Sequence, residues 1–194
     1  MTRVERDVLV RRGFILEGVT LGWNVIGIVV LAFAAVRARS VALAGFGLDS
    51  LIEIGASSVV VRELSGSHER RQEKALRLIG AAFVALAMYL AIQSTVILAL
   101  GDRPHHSPLG IVWTALTAVA MFTLAAGKAA TGKALDNPVL RTEGRVTTID
   151  GILAVAVLIG LSLNAELGWW WADPAAAYVL VYYAAREAWE IFRA

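Results

Sequence analysis

Residues 41–61 read VALAGFGLDSLIEIGASSVVV, an apolar run in which only Asp49 and Glu53 carry charge. A helix rises 1.5 Å per residue, so a run of about 20 crosses the hydrocarbon core of a bilayer. The two acids lie four positions apart. On a helix that is roughly 40° of rotation and roughly 6 Å of rise, so both carboxylates point toward one spot. A carboxylate near the bilayer centre costs about 2.5 to 3.5 kcal/mol on insertion scales, and survives there mainly where it faces protein, water or an ion. The stretch therefore reads as a membrane helix with a polar task.

Working outward, five more runs of similar length follow the same rule. The six expected spans are 13–36, 41–61, 76–100, 108–130, 143–166 and 174–192. The connectors are turn-rich or charged: RARS, RELSGSHERRQEK, GDRPHHSP, TGKALDNPVLR and GWWWADP. All are short, which predicts one domain over 1–194, an all-α membrane protein built as a six-transmembrane-helix bundle. Composition agrees: 58% of the 194 residues are hydrophobic, and the mean hydropathy is +0.66, too apolar for a soluble domain with a mixed-charge surface. The opening MTRVERDVLVRR lacks the small-residue cleavage pattern of a secretory signal, so the first span is expected to stay in the membrane. Of the 18 Lys and Arg, 15 fall on one side of the spans, and only Arg37, Arg39 and Arg103 face the other. The positive-inside rule then puts both termini in the cytoplasm. Trp169, Trp170 and Trp171 are expected at the outer interface as anchors, with Asp173 capping the last helix before Pro174. The sequence ends at Ala194, directly after the sixth span, so no soluble domain is expected to follow.

Charge and cysteine usage narrow the function classes. A net charge of +2 is dominated by loop arginines, and no nucleic-acid partner is expected. Cysteine is absent, which excludes disulfides, thiolate ligands and a thiol nucleophile and leaves oxygen or imidazole for any metal. No nucleophile–base pairing, phosphate loop or zinc-protease spacing is present, so an enzyme is not expected. Arginine far outnumbers lysine, which suggests a GC-rich bacterium and the inner membrane as location.

A third deep acid, Asp150, stands in TEGRVTTIDGILA of the fifth span, and no Lys or Arg is expected at the depth of the three. Three oxygen donors from two helices suit a small divalent cation, with water or a hydroxyl completing its shell. Thr147, about one turn before Asp150, and Asn24, midway along the first span, are candidates for a further oxygen. Glu143 is expected in an inner vestibule two turns before Asp150, with Glu17 at a comparable depth on the first span. His105 and His106 in an outer connector and His68 in an inner one read as solvated loop residues. Gly18 and Gly22, and the small residues 55–58, read as helix-packing devices.

The segment SVALAGFGLDSLIEIGASSVVV, the basic connector after it, and the acid-bearing fifth span leading into LIGLSLNAELGWWWADPAAA together resemble the transmembrane domain of the cation diffusion facilitator family. The resemblance covers nearly the whole chain and lacks the family's carboxyl-terminal cytoplasmic domain. It implies six helices, cytoplasmic termini, a homodimer, and a metal site made by the second and fifth helices, usually exporting zinc or a related ion in exchange for protons. By position, Asp49 and Glu53 match the acids of the second-helix motif, and Asp150 the distal acid of the fifth. Where the family commonly has His or Asp one turn earlier, this chain has Val146, which cannot coordinate.

The expected function is therefore proton-coupled export of a divalent metal by alternating access, Zn2+ first, with Mn2+, Fe2+ and Co2+ as further candidates because an oxygen-only site suits harder ions. No permanently bound cofactor is expected; the metal is cargo. Protons, the metal, the lipid bilayer and a second copy of the chain are the expected partners. Two alternatives stand beside it: a proton-coupled organic-cation exporter, which needs an apolar, aromatic-lined cavity, and a non-transporting metal-binding membrane subunit.

Overall fold

Proline and capping side chains decide where several helices begin. Ser107 precedes Pro108 and its hydroxyl accepts from the Gly110 amide at 3.1 Å; Asn137 precedes Pro138 and accepts from the Leu140 amide at 3.1 Å. Each satisfies a first-turn donor that the helix itself cannot, while proline occupies a position that needs no amide proton. The computed structural model describes the backbone of residues 3–64 and 69–193, and the side chains of these apart from 3–5, 56–64, 69–76, 138 and 139. The helices are α1 (Arg3–Ala38), α2 (Val41–Leu64), α3 (Glu69–Leu100), α4 (Pro108–Ala134), α5 (Pro138–Leu167) and α6 (Ala172–Arg193), with no strand among the described residues. Every expected span lies inside one helix. The helices overrun the spans, most of all α1, which begins at Arg3 inside the charged arm.

Short connectors force neighbouring helices to run antiparallel, so both termini lie at one end of the bundle, called inner below. α4 packs along α5 and α3 along α6, while α2 touches α1, α3, α5 and α6. The helix with Asp49 and Glu53 is thus enclosed by four others. Among the described residues, four helices are long and apolar enough to cross a membrane: Arg6–Ala38, Arg77–Leu100, Pro108–Ala134 and Leu140–Leu167. α6 is too charged for that test, since Arg186, Glu187, Glu190 and Arg193 occupy its last turns, and the described side chains of α2 stop short of a full span. The outer surface is apolar, as lipid contact requires: Val29 and Val36 of α1 are 70% and 79% exposed.

The apolar core is thickest in the outer half and continues along α3 and α6 to Ile79 and Ala188. Leu31, Leu43, Phe46, Leu90, Val157 and Leu180 are its largest fully enclosed members. At the outer end Asp173 corrects the expected capping. It lies inside the first turn of α6, and its carboxylate accepts from the Ser40 hydroxyl and from the amides of Val41 (3.0 Å) and Ala42 (3.4 Å). The acid therefore caps α2. Asn164 of α5 donates to the Pro104 carbonyl at 3.1 Å and the His105 amide to Ala38 at 2.7 Å, which ties the third connector down.

Close helix approach rests on other glycines than those expected. A Cβ on Gly160 would stand 2.7 Å from the Ala176 Cβ and 2.8 Å from the Ala172 carbonyl oxygen, so only glycine admits this α5–α6 crossing. Gly144 does the same against Ala129 of α4, at 3.1 Å. Among the described residues, a Cβ on Gly18, Gly22 or Gly55 would meet no neighbour within 4 Å; residues 56–58 and His68 lie outside the described side chains.

Candidate metal site

Asp49 and Glu53 leave α2 on its enclosed face, one turn apart, and Asp150 meets them from α5. All three line one cavity of about 150 Å³, and Asp49 and Asp150 are buried, 8% and 5% exposed. Glu53 and Asp150 bear electrostatically on each other across the cavity. The second-choice residues share the cavity: Asn24 on α1, and Glu143 and Thr147 on α5. Asn24 acts on an acid directly, its side-chain amide donating to Glu53 Oε2 at 3.1 Å. Thr147 donates to the Glu143 carbonyl at 2.8 Å, which leaves its oxygen lone pairs available as acceptors. Val146 lines the cavity as well. The carboxylates share a space without being drawn into a finished shell, for among the described residues no three His, Cys, Asp or Glu side chains stand close enough to hold an ion.

Two cavity features escaped the sequence. Glu187 of α6 lines the cavity beside Tyr183 and Ile191 and bears electrostatically on Asp49. Its neighbours Arg186 and Glu190 make an exposed i,i+4 pair at 2.8 Å, and that surface pattern disguises the one acid of the segment that turns inward. Lys128, expected in a cytoplasmic connector, is fully buried in α4, 3.0 Å from Glu17 Oε2 and 3.7 Å from Glu143 Oε2. Its charge also reaches Asp150. Lys128 pairs with Glu17 and Glu143, inward of the trio, and acts on Asp150 only through its charge. His105 and His106 are exposed at the outer end, away from the cavity.

Trp23 stacks on Trp113, centroids 5.0 Å apart, and donates to Thr117 at 3.1 Å, away from the acids. Phe46 belongs to the core above the acids. The cavity walls near the carboxylates are thus mainly aliphatic, with Phe83 and Tyr183 at its α3–α6 side.

Residues 71–194 match the family model for the cation efflux transmembrane domain, which covers more than half of the chain. The chain belongs to the cation efflux transmembrane family. It is a multi-pass membrane protein of a family of cation transporters of the diffusion-facilitator type. No curated protein matches the chain. The matched stretch carries Asp150, Glu143 and Thr147 but begins after α2, so Asp49 and Glu53 enter the site through their shared cavity alone.

Proposed function

We propose that this cation efflux protein exports a divalent metal, zinc before manganese, iron or cobalt, by exchanging it for protons at Asp49, Glu53 and Asp150. The observation that carries the proposal is that acids from two helices, α2 and α5, line one small buried cavity. Carboxylates hold a metal only when deprotonated, so metal and protons compete for the same oxygens. A conformation open to the inner end would exchange protons for metal, and one open to the outer end the reverse; the cycle turns only if the two ligands favour the two conformations unequally. Leu31, Leu43 and Leu90 pack the core on the outer side of the acids, while their cavity extends toward Ile79, Glu187 and Ile191 at the inner end, which supports an inward-facing state.

In this proposal residues 1–194 act as one transmembrane domain, with both termini in the cytoplasm of a bacterium, working as a homodimer. Asn24 orients Glu53, Thr147 offers the additional oxygen, and Glu143 lies on the path between the inner mouth and the trio. The cavity's size speaks against an organic-cation exporter, since pockets for drug-sized ligands run to about 300–1,000 Å³. Flux of Zn2+ and of protons in liposomes containing the purified protein tests the reading and separates a transporter from a silent metal-binding subunit. Zinc movement with opposite proton movement supports it, and metal binding without flux contradicts it.

A further inference from the structure

Lys128 is the only buried Lys or Arg among the described residues. An ammonium withdrawn from water persists as a cation only beside acids, and here the acids come from two other helices. The two contacts are unequal. Nζ makes a hydrogen bond of 3.0 Å to Glu17 Oε2, whereas Glu143 Oε2 stands 3.7 Å away, close enough for charge attraction and too far for a good hydrogen bond. The other oxygen of Glu17 is buried and makes no hydrogen bond among the described residues. An ammonium has three protons to donate, so the pair Glu17–Lys128 holds an unused acceptor beside an under-used donor. Glu143 is placed differently: besides facing Lys128 it lines the cavity, two turns inward of Asp150 on the same helix. It is shared between the lysine and whatever passes through the cavity.

We propose that Lys128 is a resident counter-cation at the inner mouth, which neutralises Glu143 between transport events and yields it to the divalent cation by moving onto both oxygens of Glu17. The assignment rests on the reading of the cavity as a cation path. A metal arriving at Glu143 does not strand the lysine, because Glu17 keeps its charge compensated. The same competition loosens the metal again, since Lys128 returns to Glu143 as the ion leaves. The lysine thus acts as a positioning residue that keeps the inner acids from becoming a trap.

Two substitutions should move apparent affinity in opposite directions, which a merely structural role would not do. Lys128→Met keeps length and removes the charge, leaving Glu17 and Glu143 uncompensated; the metal takes the lysine's place and is retained, so KM for Zn2+ in liposome flux falls about tenfold and the maximal rate falls with it. Glu17→Gln removes the reserve partner, so Lys128 holds Glu143 more firmly and KM rises. The Gln variant keeps a hydrogen-bond acceptor for the lysine and serves alone if Lys128→Met fails to fold. Unchanged KM in a folded Lys128→Met protein, or unchanged or lowered KM in Glu17→Gln, overturns the assignment. Equilibrium Mn2+ binding to the detergent-purified proteins, read by electron paramagnetic resonance, should show the same opposite shifts. Wild-type protein that moves no ion would overturn the transport reading, while this binding measurement would still decide the role of Lys128.

Discussion

At the scale of single residues, the energetics of a buried acid organise the site. Asp49, Glu53 and Asp150 line one cavity, and in the proposed site each supplies an oxygen donor to the metal. Asp49→Ala, Glu53→Ala and Asp150→Ala should each bring Zn2+ flux close to background while membrane insertion holds or improves, since a costly carboxylate is removed. Normal flux in any two of these variants, measured at matched protein levels, would sink the shared-site proposal. Val146 faces the same cavity, so Val146→His would add a borderline nitrogen donor to an oxygen site. Competition in liposomes should shift toward Zn2+ over Mn2+, and uptake should become steeper between about pH 5 and 8, where imidazole must lose its proton to bind metal. The sign is gain at the high end of that range. A folded, active variant with unchanged zinc-to-manganese ratio and pH profile would show that Val146 does not reach the ion. These residues were legible in the sequence because an acid in an apolar run violates a steep solvation rule. Lys128 and Glu187 were not, because each stands near a helix end among other charges, where only packing tells a buried charge from a solvated one.

At the scale of elements, the six helices follow from run length and from the proline and glycine punctuation between them, and every expected span falls within its helix. What the sequence could not tell is which element a cap serves. Asp173 stands beside Pro174 in a pattern that normally caps its own helix, yet its carboxylate crosses to the start of α2, where Ser40 and two backbone amides receive it. A carboxylate at a helix amino terminus satisfies orphan donors and opposes the helix dipole. Asp173→Ala should therefore destabilise the fold by about 1–2 kcal/mol, with Asp173→Asn losing less, as read by unfolding in mixed micelles. An unchanged midpoint for Asp173→Ala would mean that the α2 cap contributes nothing. Helix contacts were equally hidden. Gly18 and Gly22 fit a small-residue pattern but meet no neighbour among the described residues, while Gly160 and Gly144, in less conspicuous surroundings, make the tight crossings. Spacing marks where close approach is allowed, and only the arrangement of whole helices selects where it happens.

At the scale of the whole molecule, α2 sits among four other helices, the apolar core is thickest in the outer half, and the inner half holds the acid-lined cavity. Exposed apolar side chains run along α1 from Phe14 to Val36, a surface suited to lipid. We expect a homodimer in nanodiscs; a mass corresponding only to the monomer, in lipid as in mild detergent, would count against it. The most direct test of the central claim is paired metal and proton flux in liposomes, with the lumen made acidic and Zn2+ supplied outside. The expected result is accumulation of Zn2+ together with alkalinisation of the lumen, both abolished when a proton ionophore collapses the gradient and both lost in Asp150→Ala. Zinc accumulation that leaves luminal pH unmoved and survives the ionophore, or equal flux through Asp150→Ala, would contradict proton-coupled transport through these acids.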